Sequence, residues 1–267
     1  MLNSLHLEGV QLMTSIARDD LVEFLDAYLT PRHMRDHAVN GLQVVGRSEV
    51  RKVALGVSAS LALFTEAARW NADLILVHHG LFWRDEPRRI DALVKGRLKI
   101  LFDNDITLLA YHLPLDAHPE VGNNIQILKR LGLRHTGQGL GSWDGTYLGV
   151  VGEAFEPTSL MEFSTRVDKL FQTSALVLAF GRQQVRRVGI ISGGGAGELM
   201  EAVEQGCDVY LTGEAKEPTP AICREVGINY IAAGHYNTEK FGVIALGDVV
   251  RDKLGVEVRL FDIPNNL

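Results

Sequence analysis

The sequence predicts an α/β protein made of two interlaced, duplicated lobes with mixed sheets. Three observations carry that expectation. Short apolar runs alternate with amphipathic ones along the chain. A strand, a turn of small residues, a helix and a second strand occur twice, as "VALGVSASLALFTEAARWNADLILVHHG" from Val53 and "VGIISGGGAGELMEAVEQGCDVYLTGE" from Val188. Each copy is then followed by a strand leading into H-x-x-x-[DE], in "TLLAYHLPLD" at 107–116 and "YIAAGHYNTE" at 230–239.

The first helix signal is "ARDDLVEFLDAYL", where Asp19 and Asp20 precede Leu21, Phe24, Leu25, Tyr28 and Leu29 at helical spacing. Residues 1–17 lack such a signal and are expected to form a disordered extension, with Met13 as an alternative start. Residues 73–77, "DLILV", read as a buried strand of the parallel kind, and Gly80 lets the chain turn after His78 and His79. At a separation of 135 residues Leu55 meets Ile190, Ala67 meets Ala202, Asp73 meets Asp208, and His78-His79 meets Gly213-Glu214. At a separation of 123, His112 meets His235 and Asp116 meets Glu239. Between the copies, "TYLGVVGEAF" and "SALVLAFG" read as strands flanking a helix that Ser159 opens, with Glu162 completing a capping box. The expected division is a first lobe of residues 18–126 plus 227–267 and a second, inserted lobe of residues 127–226.

Composition narrows the function. The chain has 267 residues, with 33 acidic against 27 basic side chains and a formal charge of −6, which tells against nucleic acid or an anionic membrane as the main partner. Cys207 and Cys223 are too far apart for a C-x-x-C motif, and nothing suggests a disulfide framework. No apolar run reaches the roughly 18–20 residues of a membrane span, and no signal peptide is evident. A reducing, cytoplasmic location is expected.

The chemistry gathers at the carboxyl ends of the predicted strands, where ligands bind in open α/β sheets. His78, His79, His112, Asp116, His235 and Glu239 stand there. Imidazoles and carboxylates without thiolates suit zinc, iron, manganese or cobalt at a hydrolytic or redox centre. They are too many for one closed structural site, and two metals roughly 3.5–4 Å apart sharing a carboxylate would use them more naturally. Singly, each piece has a plainer reading: a loop pair for His78-His79, a self-bonded turn for H-x-x-x-D, and a helix start capped by Asn237 or Thr238 for "HYNTE". His118 is close enough to Asp116 in sequence to support it, whereas His6, His33, His37 and His135 read as solvated. "SGGGAGE" departs from GxGxxG because Glu198 takes the third glycine position, so a tight strand-to-helix turn is favoured over a phosphate loop.

Five stretches resemble one family in its own order: "NGLQVVG" at 40–46, "VHHGLFW" at 77–83, "YHLPLDAHPEVGNN" at 111–124, "LTGE" at 211–214 and "GHYNTEKFG" at 234–242. The family is that of the dinuclear-metal proteins known as GTP cyclohydrolase I type 2 homologues, or NGG-one-interacting-factor-three-like proteins. The resemblance implies a ring-shaped homohexamer with two divalent metal ions, iron, zinc or manganese, in each subunit. His79 and Asp116 then resemble ligands of one metal and His78 and His235 of the other, with Glu239 bridging and His112 in an acid–base role. The reaction it implies is hydrolytic opening of the guanine imidazole ring of GTP, giving dihydroneopterin triphosphate and formate. Arg84, Arg88 and Arg89 would be the nearest cations for a triphosphate. A two-metal hydrolase of another nucleotide, phosphoester or small amide, and a metal-handling scaffold without turnover, are the alternatives.

Overall fold

The computed structural model describes residues 15–85 and 89–265. The first copy builds a five-stranded sheet in the order Glu257–Leu260, Lys52–Ser58, Leu74–His79, Thr107–Ala110, Gly41–Val44. Its first four strands are parallel and Gly41–Val44 runs antiparallel at the edge. The second copy builds a six-stranded sheet in the order Arg134–Trp143, Thr146–Ser159, Gln184–Ile190, Val209–Thr212, Asn229–Ala232, Leu176–Ala179. Gln184–Ile190, Val209–Thr212 and Asn229–Ala232 are parallel; the strands flanking them are antiparallel. Both sheets are therefore mixed, as the sequence predicts.

Duplication is visible in hydrogen bonds as well as in strand order. The Asp73 carboxylate accepts from the backbone N–H groups of Arg51 and Lys52, at 2.8 and 2.9 Å. The Asp208 carboxylate accepts from those of Arg186 and Arg187, at 3.0 and 2.9 Å. These partners are themselves 135 residues apart, so each copy pins the start of its first strand to the start of its second in the same way. Asp73 is buried and also holds Arg47. Asp73→Ala leaves those donors without their acceptor and should destabilise the fold by about 2–4 kcal/mol, read from urea unfolding; a loss below 0.5 kcal/mol, the range of an ordinary surface change, would contradict this.

The second lobe extends further than the sequence division placed it. Asn229–Ala232 pairs with Val209–Thr212, so the chain returns to the first sheet only beyond residue 232, through the helix Lys240–Leu254 and the strand Glu257–Leu260. The boundary expected at 227 separates this strand from the copy that it completes. Register also corrects the spacing of the closing segments. Leu74 pairs with Thr107 and Val209 with Asn229, so Asn229, not Tyr230, is the counterpart of Thr107. The second copy thus has one extra residue between its strand and His235, absorbed at Gly234, whose φ of 101° suits glycine. The ordered part also begins earlier than expected: Ile16–Ala17 pairs with Glu49–Val50. His6 and Met13 lie outside the described residues.

Helices cover both faces of each sheet. Arg18–Leu29 and Lys240–Leu254 enclose one core of the first lobe, Leu61–Arg69 and Ala92–Asp103 the other. In the second lobe Asn123–Arg130 and Leu160–Phe171 cover one face, and Leu199–Glu204 and Thr219–Val226 the other. Ser159 and Glu162 form the expected capping box. The long hairpin Arg134–Trp143/Thr146–Ser159 turns at Asp144-Gly145, both with positive φ, the pairing a two-residue hairpin turn favours. Its tip crosses to the first lobe, where Trp143 Nε1 donates to Arg35 O at 2.7 Å and Asp144 accepts from Arg35 N at 3.1 Å.

Candidate metal centre

The strand Leu74–His79 ends at the lobe junction and delivers two adjacent imidazoles with different surroundings. His78 is fully buried, and its Nδ1 lies 3.0 Å from Tyr111 O. The carbonyl can only accept, so Nδ1 carries the proton and Nε2 presents its lone pair. That Nε2 lies 3.5 Å from Asp116 Oδ2 and 3.6 Å from Glu239 Oε1. His79 is anchored instead by Ser58 Oγ at 3.0 Å from its Nδ1, with Nε2 3.3 Å from Glu239 Oε2. His235 opens the short helix His235–Thr238, its Nδ1 3.4 Å from Glu214 Oε2 and its Nε2 3.4 Å from Glu239 Oε2.

The carboxylates are held as firmly. Asp116 Oδ1 accepts from Asn123 Nδ2 at 2.8 Å and Ser192 Oγ at 3.3 Å, leaving Oδ2 to face His78. Asn123 in turn accepts from Gly242 N at 2.7 Å, so one side chain ties the helices Asn123–Arg130 and Lys240–Leu254 to the centre. Glu239 is buried, and a methyl group at Gly193, whose φ is +62°, would overlap its Oε1. The Gly193 N–H is taken by Thr238 Oγ1, which is why Thr238 does not cap its helix and no side chain does.

Ligand-type atoms of His78, Asp116 and Glu239 lie within 4.8 Å of one another, as do those of His79, His235 and Glu239, and those of His78, His79 and His112. Glu239 belongs to the first two groups. The grouping reverses the pairing that the resemblance implies: His78 goes with Asp116 and His79 with His235. Successive strand residues face opposite ways, which turns His78 toward Tyr111 and Asp116 and His79 toward Ser58 and the second lobe.

This donor set fits divalent cations. His78 Nε2 and Glu239 Oε2 are buried with no hydrogen-bond partner, although buried polar atoms are almost always satisfied. Each imidazole has its far nitrogen at a carbonyl, hydroxyl or carboxylate, the arrangement that orients metal-ligating histidines. Electrostatics agrees. Burial opposes a charged His78, yet Asp116 and Glu239 outweigh it and raise its pKa to about 9. Burial pushes His79 down to about 3, with Glu239 pulling the other way. Against its burial, the imidazoles of His79 and His78 hold Glu239 well below the usual carboxylate range, while burial raises Asp116.

His112 stands beside this cluster. Its Nδ1 lies 2.8 Å from Asp36 Oδ1, and its ring centroid is 5.0 Å from that of His78 and 5.2 Å from that of Trp83. Burial would raise Asp36, but the bond to His112 and donors at Asn40 and Ala38 bring it to about 2, so it is a carboxylate at neutral pH. A cleft of about 720 Å³ opens over the centre, walled by Trp83 and Arg97 of the first lobe and Trp143, Ser192 and Glu198 of the second. Two expectations about neighbours change. His118 stacks on Tyr28 and accepts from Glu120 N and Val121 N, leaving Asn123 and Ser192 to support Asp116. His37, exposed as expected, nevertheless lines the cleft. Arg84 and Arg89 are exposed and do not line it, and Arg88 lies outside the described residues.

The Duf34/NIF3 (NGG1p interacting factor 3) family matches residues 16–266. The chain belongs to this family. It is 43% identical over 251 residues to the GTP cyclohydrolase 1 type 2 homolog of Pseudomonas aeruginosa, a match covering 94% of this chain and 99% of that one. Among solved structures, protein ybgI, titled as of unknown function, superposes with a TM-score of 0.89 at 37% identity, and TTHA1606 from Thermus thermophilus with 0.82 at 39%. Each match covers 94% of this chain and all of the other. Among the described residues no helix is long and apolar enough to cross a membrane.

Proposed function

We propose that this member of the Duf34/NIF3 family is a dinuclear-metal hydrolase that opens the guanine imidazole ring of GTP, giving dihydroneopterin triphosphate and formate. His78, Asp116 and Glu239 would hold one divalent ion, and His79, His235 and Glu239 the other. The observation that carries the reading is Glu239, a buried carboxylate with one oxygen near His78, the other near His79 and His235, and no hydrogen-bond donor on Oε2. Bound there, two cations supply Lewis-acid polarisation and a water of lowered pKa, the chemistry of two-metal hydrolases. The printed names of relatives such as the Pseudomonas aeruginosa protein support the choice of substrate.

The residues of the chain divide the remaining work. Asp36 fixes the His112 ring and, when that ring is protonated, stabilises its charge, so the Nε2 side is free to exchange a proton with a nitrogen of the opening ring. Trp83 packs edge-on against His112. With Trp143 it gives the cleft aromatic wall suited to a flat heterocycle. The same reading has the chain acting in the cytoplasm as a homohexamer. Phe155 and Met161, 75% and 74% exposed, are apolar surface that such an assembly could cover.

The test is to incubate metal-loaded protein with GTP and follow formate release and pterin fluorescence. Ring opening would support the assignment; a protein carrying its metals that leaves GTP intact would sink it. His112→Asn should retain both metals while turnover falls at least about a hundredfold, the scale of a general acid–base contribution. Loss of metal from this variant would instead make His112 a ligand.

A further inference from the structure

Arg97 is the single Lys or Arg among the described residues lining the cleft, and nothing in the chain engages it. It projects from the helix Ala92–Asp103 and is half-buried. Its Nε is closed off from solvent with no acceptor. Other arginines show what is missing. Arg47, Arg134 and Arg187 pair with carboxylates, and Arg130, Arg224 and Arg259 lie over aromatic rings. Among the described residues, Arg97 has neither kind of partner. A desolvated guanidinium donor without an acceptor is costly. It also keeps its whole fork free for two oxygens of one planar or tetrahedral anion.

We propose that Arg97 is the anion-anchoring residue of the cleft, binding a phosphate or carboxylate group of the molecule whose other end reaches the metal centre. The inference rests on the cleft being the substrate site, as proposed above, but not on the substrate being GTP. The remaining charged side chains of the wall include Glu198 and Glu201, which repel an anion and leave Arg97 as its cationic contact. Arg97 would thus fix which end of an anionic substrate points away from His112. It takes the role expected from sequence of Arg84, Arg88 and Arg89.

Calorimetric titration of the protein as purified with inorganic phosphate, and separately with acetate, tests this. Arg97→Gln should weaken binding of the favoured anion by about tenfold to a hundredfold. Arg97→Lys, which keeps the charge and loses the fork, should fall between. A loss confined to phosphate identifies a phosphoryl ligand, and one confined to acetate a carboxylate. Thermal unfolding checks that each variant is folded, and if Arg97→Gln is not, a weakening in folded Arg97→Lys carries the test. Unchanged affinity in a folded variant, or no binding of either anion by the parent, would overturn the proposal. Metal content of the same samples separates it from the reading beneath it. Arg97-dependent anion binding without metal would sink the dinuclear centre and leave this inference standing. Two metals with Arg97-independent binding would do the reverse.

Discussion

Glu239→Ala is expected to lower the metal content from about two ions per chain to fewer than one, measured by elemental analysis of protein purified without chelators. The magnitude follows from position. The carboxylate belongs to both of the groups that contain a carboxylate, and its two oxygens face different imidazoles. Its removal takes one donor from each ion and also the negative charge that offsets bringing two cations together. Asp116→Ala removes a donor from the His78 group alone. It should therefore cost one ion and spare the other, and the contrast between the two variants is the informative result. Equal losses would mean that the ions load as one cooperative unit. A parent that stays folded, contains no metal and takes up no added iron, zinc or manganese would remove the dinuclear reading altogether.

Much of this centre was legible in the sequence because it is built at strand ends. Apolar runs such as "DLILV" identify buried strands, and the polar residues following them must emerge where the sheet stops. Duplication strengthened the inference, since His112 and His235, and Asp116 and Glu239, recur after equivalent strands. Other parts were hidden for physical reasons. Arg134–Trp143 reads "RHTGQGLGSW", whose glycines and polar residues give no period-2 apolar pattern; it becomes a strand by pairing along Thr146–Ser159. Asp36 carried no signal, because its role depends on meeting His112, 76 residues away. Asn40, Asn123 and Glu214 lie within stretches that the resemblance picked out, but their hydrogen bonds to the site are tertiary facts. The choice of metal partner for His78 and His79 was likewise beyond spacing. It depends on which way each ring turns at the last residues of the strand.

That difference between the two histidines has a pH signature. In the metal-free protein His78 sits between two carboxylates with its pKa raised to about 9, so at neutral pH its proton occupies the position a cation would take. Metal binding at the His78, Asp116 and Glu239 group must expel that proton. The apparent affinity of this group should rise by about tenfold per pH unit from pH 7 toward 9 and then level off. His79, pushed down to about 3, is already neutral there, so the His79, His235 and Glu239 group should show no comparable rise over the same interval. Titrations in buffers of different ionisation enthalpy count the protons directly: about one released per chain near pH 7.5 on filling the first group. The folded state provides an independent reading. A histidine pKa raised on folding stabilises the protein fully below its unfolded value of 6.5, and that contribution disappears as pH rises through 9. The metal-free chain should therefore lose about 3 kcal/mol of stability between those limits, while the metal-loaded chain should not. His79 acts on the acid side, where its depressed pKa costs stability as pH falls from 6.5 toward 3. If metal uptake releases no proton and the unfolding midpoint of the metal-free chain is flat from pH 6.5 to 9, His78 is neutral in that state. The two carboxylates facing it would then have to be neutralised by another route.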